Sequence, residues 1–256
     1  MPRPILRRTI PCLLLRDNGL VKTEKFKKDT YIGDPLNAVK IFNEKEVDEL
    51  VFLDIDATKK GKEPHYSFIQ DIANECFMPF CYGGGIKSIE QIKKIIASGA
   101  EKVSINTAAF TNPELITEAA NIFGSSTIVV SIDVKKDLFG KKRVYVSSGK
   151  KNTKMDPVVY SKKMEALGAG EILLNSVDKD GTMTGYDLDL IKSVSEAVSI
   201  PVIACGGVGT INHFSLAIKQ AKASAVAAGS FFVYQGPRKA VLISYPSQQE
   251  LKEIYQ

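Results

Sequence analysis

The sequence has few of the residues that build metal sites and nucleophilic triads. It contains four cysteines and two histidines, and no two cysteines form a CxxC pair. A zinc site or a Ser-His-Asp triad would need His65 or His213, and neither histidine lies in a recognisable motif. We therefore expect no metal site and no cofactor. The cysteines lie mostly in apolar runs and are interpreted as reduced core thiols: Cys12, Cys76, Cys81 and Cys205.

Long hydrophobic runs and clustered charge of one sign are also missing. No apolar run approaches the roughly 18 residues that span a bilayer, and the opening MPRPILRRT lacks the pattern of a signal peptide. The net charge is +5, and the basic residues are scattered along the chain. The sequence thus predicts a soluble cytoplasmic protein with no membrane and no nucleic acid among its partners, and slightly favours small anionic ligands.

What the sequence does have is a regular alternation of strand-type and helix-type segments. Amphipathic stretches, with apolar residues three and four positions apart, separate short apolar runs. The runs span 10–15, 49–55, 78–83, 102–106, 127–134, 171–177, 200–206 and 223–229. This pattern predicts an α/β fold of the TIM (β/α)8 barrel type, with an open doubly wound sheet as the alternative. We expect a single domain over residues 1–256.

Two features near the N-terminus can also be predicted. Asp34 followed by Pro35 fits a helix N-cap and a proline in the first turn, so a helix should begin there. The preceding segment 17–33 is rich in lysine and is predicted as a long loop.

Residues of the first half of the chain recur in the second half at a nearly constant spacing. Gly84 and Gly207 are 123 positions apart, and other pairs have nearly the same separation. The two half-barrels span about 8–125 and 126–232. Extended towards the N-terminus, the repeat aligns Leu14 with Asp133. It therefore predicts an acid at both positions, and the sequence has one only at Asp133.

Glycine-rich and polar segments follow the predicted strands. In a (β/α)8 barrel the loops after the strands form the active site, and consecutive N–H groups of glycine can bind an oxyanion there. Amide and hydroxyl donors follow the next strand in both halves. We predict two phosphate sites on opposite sides of one mouth, although a tight turn would also explain a single glycine run. The residues are Gly84, Gly85, Asn106 and Thr107 in one half and Gly206, Gly207, Gly229 and Ser230 in the other.

Several aspartates near strand ends are candidates for chemistry. Asp133 ends the apolar run VVSID, and a carboxylate buried there without a role would be costly. We predict an acid–base role, with capping of the next turn as the alternative. Asp180 and Gly181, in DKDGT, either contact the ligand or order their own turn. Asp54 and Asp56 are interpreted as structural or supporting residues.

A resemblance to a known family covers residues 8–232. The segments that carry it are ELVFLDI, GGGI, KVSINTAA, NPELI, VVSID, SSGKKNT, GAGEILL, DKDGT, CGGVG and AAGSF. They resemble the cyclase subunit of imidazole glycerol phosphate synthase (HisF). The resemblance implies a barrel whose amino-terminal face binds a glutaminase subunit (HisH-like) and whose interior carries ammonia to a bisphosphate ribonucleotide. It also implies two catalytic aspartates, one at the end of the first strand of each half.

The resemblance assigns roles by position. Asp133 matches the second catalytic aspartate, whereas Leu14 stands in the place of the first. Lys22 matches a lysine that contacts the substrate. The charged ring that gates the ammonia passage in the family is matched by Arg8, Glu49, Lys102 and Glu171. Four exposed residues at strand starts are the alternative interpretation of this ring.

Departures from the family pattern concern the mouth and the C-terminus. Loss of one acid–base group commonly lowers a rate by about 10²–10⁴-fold, so Leu14 argues against efficient cyclase chemistry. Asn175 stands where the family usually has threonine, and the tail 235–256 diverges. These departures resemble a branch found in surface-polysaccharide gene clusters, where barrel and glutaminase supply ammonia for sugar amidation. We predict an ammonia-dependent lyase- or cyclase-type subunit that acts on a phosphorylated or nucleotide-linked sugar.

Three other functions stay open. The first is an authentic cyclase of histidine biosynthesis that tolerates Leu14 because Asp17 or a water molecule substitutes for the acid. The second is a non-catalytic barrel that hands ammonia to a separate amidotransferase. The third is the related sugar-phosphate isomerase barrel, which lacks the charged ring. No segment of the chain resembles a glutaminase, so the glutaminase would be a separate partner.

Overall fold

The computed structural model describes residues 7–256 as an alternation of strands and helices. Residues 1–6, which the single-domain prediction includes, lie outside the described residues. The strands are β1 (Arg8–Arg16), β2 (Gly19–Glu24), β3 (Lys27–Gly33), β4 (Leu50–Asp54), β5 (Phe80–Gly83), β6 (Lys102–Ile105), β7 (Ile128–Lys136), β8 (Lys142–Val146), β9 (Lys151–Asn152), β10 (Glu171–Ser176), β11 (Val202–Cys205), β12 (Ala225–Ala228), β13 (Tyr234–Gln235) and β14 (Ala240–Val241). The helices are α1 (Pro35–Glu44), α2 (Ala57–Lys60), α3 (Tyr66–Glu75), α4 (Ile89–Ala97), α5 (Thr107–Thr111), α6 (Glu114–Phe123), α7 (Pro157–Ala166), α8 (Leu188–Ser195), α9 (Asn212–Lys219), α10 (Ser230–Val233) and α11 (Gln248–Tyr255), with one 3-10 turn at Ser125–Thr127.

Eight of these strands are parallel and close into a barrel. Hydrogen-bonded neighbours follow the order β1, β4, β5, β6, β7, β10, β11 and β12, and β12 pairs with β1. The predicted TIM (β/α)8 barrel is confirmed, and the alternative of an open doubly wound sheet is wrong. The first four of these strands belong to the first half of the sequence repeat and the last four to the second half.

The segment 17–33 is not the long loop that the sequence predicted. β1 turns at Asp17 and Asn18 and continues as an antiparallel hairpin of β2 and β3. Both turn residues have positive φ angles, 45° and 64°, which aspartate and asparagine tolerate better than most residues. The hairpin was missed because most of β3 is exposed and polar. Only the start of β2, with Leu20 and Val21, has the buried apolar residues of a strand.

Helix starts follow the predicted capping chemistry. The Asp34 carboxylate accepts a hydrogen bond from the backbone N–H of Asn37 at 2.9 Å, and Pro35 is the first residue of α1. Asp156 caps α7 in the same way by accepting from two backbone N–H groups. Across residues 7–256, every helix is too short or too polar to cross a bilayer.

The barrel has two apolar layers. The larger layer lies between the outer face of the strands and the helices, and includes Phe42, Phe52 and Tyr160. The smaller layer fills the barrel interior and includes Ile10, Val51, Cys81, Val129, Leu173 and Ile203. Cys12 and Cys81 are buried in this interior layer, and all four cysteines are free thiols.

The C-terminal tail extends from the barrel wall to the start of β1. Its hairpin of β13 and β14 leads to Tyr245, whose hydroxyl donates to the backbone carbonyl of Thr9 at 2.8 Å. The hydroxyl of Tyr255, in α11, also hydrogen-bonds the Thr9 side chain. Leu251 of the same helix is buried. The divergent tail is therefore a packed part of the fold.

Removal of the α7 cap should destabilise the protein. In the Asp156→Ala variant the N–H groups of Val158 and Val159 lose their acceptor, which lies at 2.9 and 3.2 Å. We expect the free energy of unfolding, measured by urea denaturation, to fall by about 1 kcal/mol. Glu118→Ala, which removes an exposed carboxylate from α6, is the matched control. An equal loss in both variants would show that the cap has no specific effect.

Candidate functional site

A cavity of about 250 Å³ opens at the carboxyl ends of the barrel strands. Its wall includes Gly84, Gly85, Asn106, Thr107 and Asp133, which the sequence predicted at one mouth. A second cavity, of about 30 Å³, adjoins the first beneath the hairpin of β2 and β3. Its wall includes Lys22, Asp180, Gly181, Gly206, Gly207, Gly229 and Ser230. The two cavities share wall residues, among them Leu14 and Asp180.

Asp133 is a buried carboxylate held by two amides. Asn175 of β10 donates to one carboxylate oxygen at 3.3 Å, and Asn106 donates to the other at 3.2 Å. Burial raises the pKa of Asp133 to about 7. The nearby Asp180 charge adds to this rise and the two amide donors oppose it, but each of these effects is smaller than that of burial. A carboxyl group with a pKa near neutrality can both accept and donate protons at physiological pH. The geometry therefore suits the predicted acid–base role.

Leu14 occupies the corresponding place in the first half of the barrel. It lies in β1, paired with Leu53 of β4 and Val21 of β2, and it borders both cavities. Asp17 does not reach either cavity, because its carboxylate lies outside and pairs with Lys60 and Lys62 at 3.2 and 3.3 Å. The structure thus gives no support to Asp17 as a substitute for the missing acid.

The first predicted phosphate site lies at the ends of β5 and β6. Gly84 and Gly85 have φ angles of 122° and 72°, and a Cβ atom on Gly84 would lie 2.5 Å from the carbonyl oxygen of Asp54. Only glycine fits this turn. Asn106 and Thr107 follow β6 at the start of α5, on the wall of the same cavity.

The second predicted site lies at the ends of β11 and β12. Gly206 and Gly207 again have positive φ angles, and a Cβ atom on Gly207 would lie 2.2 Å from the carbonyl oxygen of Gly185. Gly229 and Ser230 stand at the start of α10 on the same wall. The two glycine turns, related by the sequence repeat, thus lie on different sides of the mouth.

Lys22 and Asp180 are buried titratable groups of the second cavity. The Lys22 amino group donates to the backbone carbonyl of Cys12 at 2.7 Å, and burial lowers its pKa. Burial raises the pKa of Asp180 to about 6, although the nearby Lys22 charge opposes this rise. Thr23 donates to the Asp180 carboxylate at 3.3 Å. In both residues burial favours the uncharged form.

Four charged residues form a closed ring at the opposite end of the barrel. Arg8 forms ion pairs with both Glu49 and Glu171. Lys102 lies 3.1 Å from a Glu49 oxygen and 2.8 Å from a Glu171 oxygen. Each residue therefore contacts two partners of opposite sign, and both glutamates are buried. The structure brings the four predicted gate residues together, in contrast to the alternative of separate exposed residues.

Other residues of the mouth were not predicted as site residues. Arg16 borders the large cavity and pairs with Asp29 and Asp56. Asp56 is thus part of a charge network, and Asp54 accepts from the N–H groups of Asp56 and Ala57 at 2.9 Å. Arg16 was missed because its partners are distant in sequence. Within residues 7–256, no three His, Cys, Asp or Glu side chains are placed to hold a metal ion.

Comparisons with known proteins agree on one family. The profile described as "Histidine biosynthesis protein" matches residues 8–237. A Pseudomonas aeruginosa protein named "Putative imidazole glycerol phosphate synthase subunit hisF2" is 51% identical over 96% of this chain and 98% of its own length. The Vibrio vulnificus protein "Putative imidazole glycerol phosphate synthase subunit hisF3" is 50% identical, over 98% and 97%. The Geobacillus thermodenitrificans "Imidazole glycerol phosphate synthase subunit HisF" is 45% identical, over 90% and 92%.

The raised pKa of Asp133 predicts how stability depends on pH. An unfolded aspartate loses its proton near pH 3.8 and the folded one at about pH 7, so between these values the folded protein binds more protons. Stability should therefore fall as the pH rises through this window. We expect the free energy of unfolding of the native protein, relative to Asp133→Asn, to decrease by up to about 4 kcal/mol from pH 4 to pH 8.

Urea denaturation at several pH values measures this difference. Asp189→Asn, which removes an exposed carboxylate from α8, is the control for the loss of charge. A constant difference between the native protein and Asp133→Asn would contradict the predicted pKa.

Proposed function

Because the chain belongs to the family of histidine biosynthesis proteins, we propose that it is a synthase subunit that receives ammonia from a glutaminase partner. The protein either catalyses the reaction of this ammonia with a phosphorylated or nucleotide-linked sugar, or delivers the ammonia to such a sugar. The process is the amidation of a sugar for surface polysaccharide. The relatives named above are each called a subunit, which supports assembly with a second chain.

The closed ring at the amino end of the barrel is the observation that carries this proposal. Buried ion pairs contribute little to stability, because the cost of removing charges from water offsets their attraction. A ring of two cations and two anions at the floor therefore favours a role other than stabilisation. The interior layer above it consists of apolar and thiol side chains, such as Ile10, Val51 and Cys81. Such a layer admits neutral ammonia at lower cost than the ammonium ion.

The mouth supports an anionic sugar substrate. Two glycine turns, each next to a helix start, border the cavities on opposite sides, and backbone N–H groups in this arrangement bind phosphate. Lys22 adds a buried amino group beside the second turn. At position 14 the mouth has a leucine where the family has an aspartate, and at position 175 it has an asparagine where the family usually has threonine. These two residues support a reaction that differs from that of the cyclase.

The glutaminase interface and the ring can be tested together. We expect the protein to co-purify in stoichiometric amount, at low salt, with a co-expressed HisH-like glutaminase subunit. Lys102→Ala should keep the partner bound but lower glutamine-dependent transfer more than ammonium-dependent transfer, since external ammonium does not pass the ring. Lys93→Ala, on the exposed side of α4, is the matched control. Failure to co-purify, or equal losses with both nitrogen sources, would contradict the proposal.

A second candidate function is the cyclase of histidine biosynthesis. It is favoured by Asp133, which keeps the place of one catalytic aspartate of the family and has a pKa raised to about 7. The single acid would then perform the proton transfers that two aspartates perform in the family.

Ammonium-dependent turnover of the phosphoribulosyl-formimino ribonucleotide separates the two functions. We expect the native protein to be nearly inactive, and Leu14→Asp to gain activity by about 10²-fold or more, because the second acid–base group is restored. Leu14→Asn, which is polar but cannot transfer a proton, is the matched control. Efficient turnover by the native protein would instead establish the cyclase function.

A further inference from the structure

The Lys22 side chain has an environment that is unusual for a lysine. It is 5% exposed, and no carboxylate within residues 7–256 lies within ion-pair distance of its amino group. The amino group donates a hydrogen bond to a neutral acceptor, the carbonyl oxygen of Cys12. The amino group also abuts Gly229, where a Cβ atom would lie only 2.1 Å from Nζ. The nearby Asp180 charge favours an ammonium ion at this place, but burial disfavours it more strongly, whereas a neutral amine is tolerated.

The neutral amine is the nucleophilic form of lysine. Burial lowers the pKa of Lys22 and so increases the fraction of this form at neutral pH. Lysines that attack carbonyl compounds are activated in this way, by removal from water. A lysine that only binds phosphate, in contrast, would gain from remaining charged.

The surroundings of Lys22 fit an attack on a phosphorylated carbonyl compound. The same small cavity contains the Gly206–Gly207 turn, for a phosphate group, and the buried Asp180 carboxyl. The pKa of Asp180 is raised to about 6, so this group can donate and accept protons near neutrality. Leu14 completes the wall on the side where the family has an acid.

We propose that Lys22 is a catalytic nucleophile that forms an imine with the open-chain carbonyl group of a sugar phosphate. This inference rests on the proposed function and specifies its substrate class, a sugar phosphate with a free aldehyde or ketone. It also adds a covalent step to the reaction with ammonia. Asp180 serves as the proton donor and acceptor for this step.

The step balances without an oxidant or reductant. The neutral Lys22 amine forms a bond to the carbonyl carbon, and the carbonyl oxygen takes up the proton that the nitrogen releases. The nitrogen lone pair then expels this oxygen, which leaves as water after a second proton arrives from Asp180. Ammonia adds to the carbon of the resulting iminium ion and gives up a proton, and the electrons of the C=N bond return to the Lys22 nitrogen. The Lys22 nitrogen takes up a proton from Asp180 and leaves as the amine, and the lone pair of the added nitrogen forms the new C=N bond. This nitrogen returns a proton to Asp180, so that carbonyl and ammonia become imine and water.

Covalent activation also explains why the reaction needs no acid at position 14. Direct addition of ammonia to a carbonyl group needs an acid that protonates the carbonyl oxygen. An iminium ion already carries the positive charge that draws the nucleophile, so a second carboxylic acid at position 14 is not required. A buried lysine can therefore replace the function of the missing aspartate.

Borohydride trapping tests the proposal without the glutaminase. Ribulose 5-phosphate is a suitable probe, because its ketone cannot close into a ring through the esterified 5-hydroxyl. Sodium borohydride should reduce the imine and fix the sugar phosphate on the protein. Mass spectrometry of the digested protein should then locate the adduct on Lys22. Lys22→Arg should abolish this adduct, Asp180→Asn should reduce it, and Lys93→Met, in the exposed face of α4, should leave it intact.

Competition separates specific attack from random reaction of surface lysines. Inorganic phosphate should suppress the adduct by filling the glycine turn. Absence of an adduct on Lys22, or adducts spread over exposed lysines and insensitive to phosphate, would overturn the inference. Failure of the proposed function gives a different result, because a protein that binds no glutaminase can still form the Lys22 adduct.

Discussion

The pairing of β12 with β1 closes the barrel. The charged ring at one end and the glycine turns at the other both depend on this closure. In a closed parallel barrel all carboxyl ends point to one mouth and all amino ends to one floor. Arg8, Lys102 and Glu171 are the first residues of three barrel strands, and Glu49 directly precedes a fourth. They meet because the eight-stranded barrel is closed. The same closure brings the glycine turns of the two halves to opposite sides of one opening. In an open sheet these residues would be spread along a line.

Leu14 lies among the titratable groups of the mouth. Leu14 borders the second cavity together with Lys22 and Asp180, and a leucine there offers neither group an ionised partner. Burial then dominates, which raises the pKa of Asp133 and Asp180 and lowers that of Lys22. The mouth thus contains two carboxyl groups and one amino group whose pKa values burial shifts towards neutrality. Such groups are well suited to transfer protons and to attack carbonyl carbon.

The sequence predicts the barrel well because each barrel strand is a short apolar run and each covering helix has a regular apolar face. It fails at β2 and β3, where an exposed hairpin with few apolar residues has the composition of a loop. The glycine turns could be located from the repeat, since their conformations exclude other residues. The hydrogen bonds from Asn106 and Asn175 to Asp133 could not be predicted. They depend on which residues of β7, of β10 and of the end of β6 lie side by side. The four residues of the charged ring could be named from the resemblance to the family, but only the structure shows that they form a closed ring of ion pairs.

The contact between the two ends of the chain has a consequence for synthesis on the ribosome. β1 pairs with β12 through Arg8 and Ala225, and the tail that follows holds Thr9 through Tyr245. One edge of the first strand therefore stays unpaired until the residues of β12, more than 200 positions later, have been translated. An unpaired strand edge is prone to join other chains, and contacts so distant in sequence form slowly. The nascent chain therefore has to keep this edge from joining other chains until β12 has emerged.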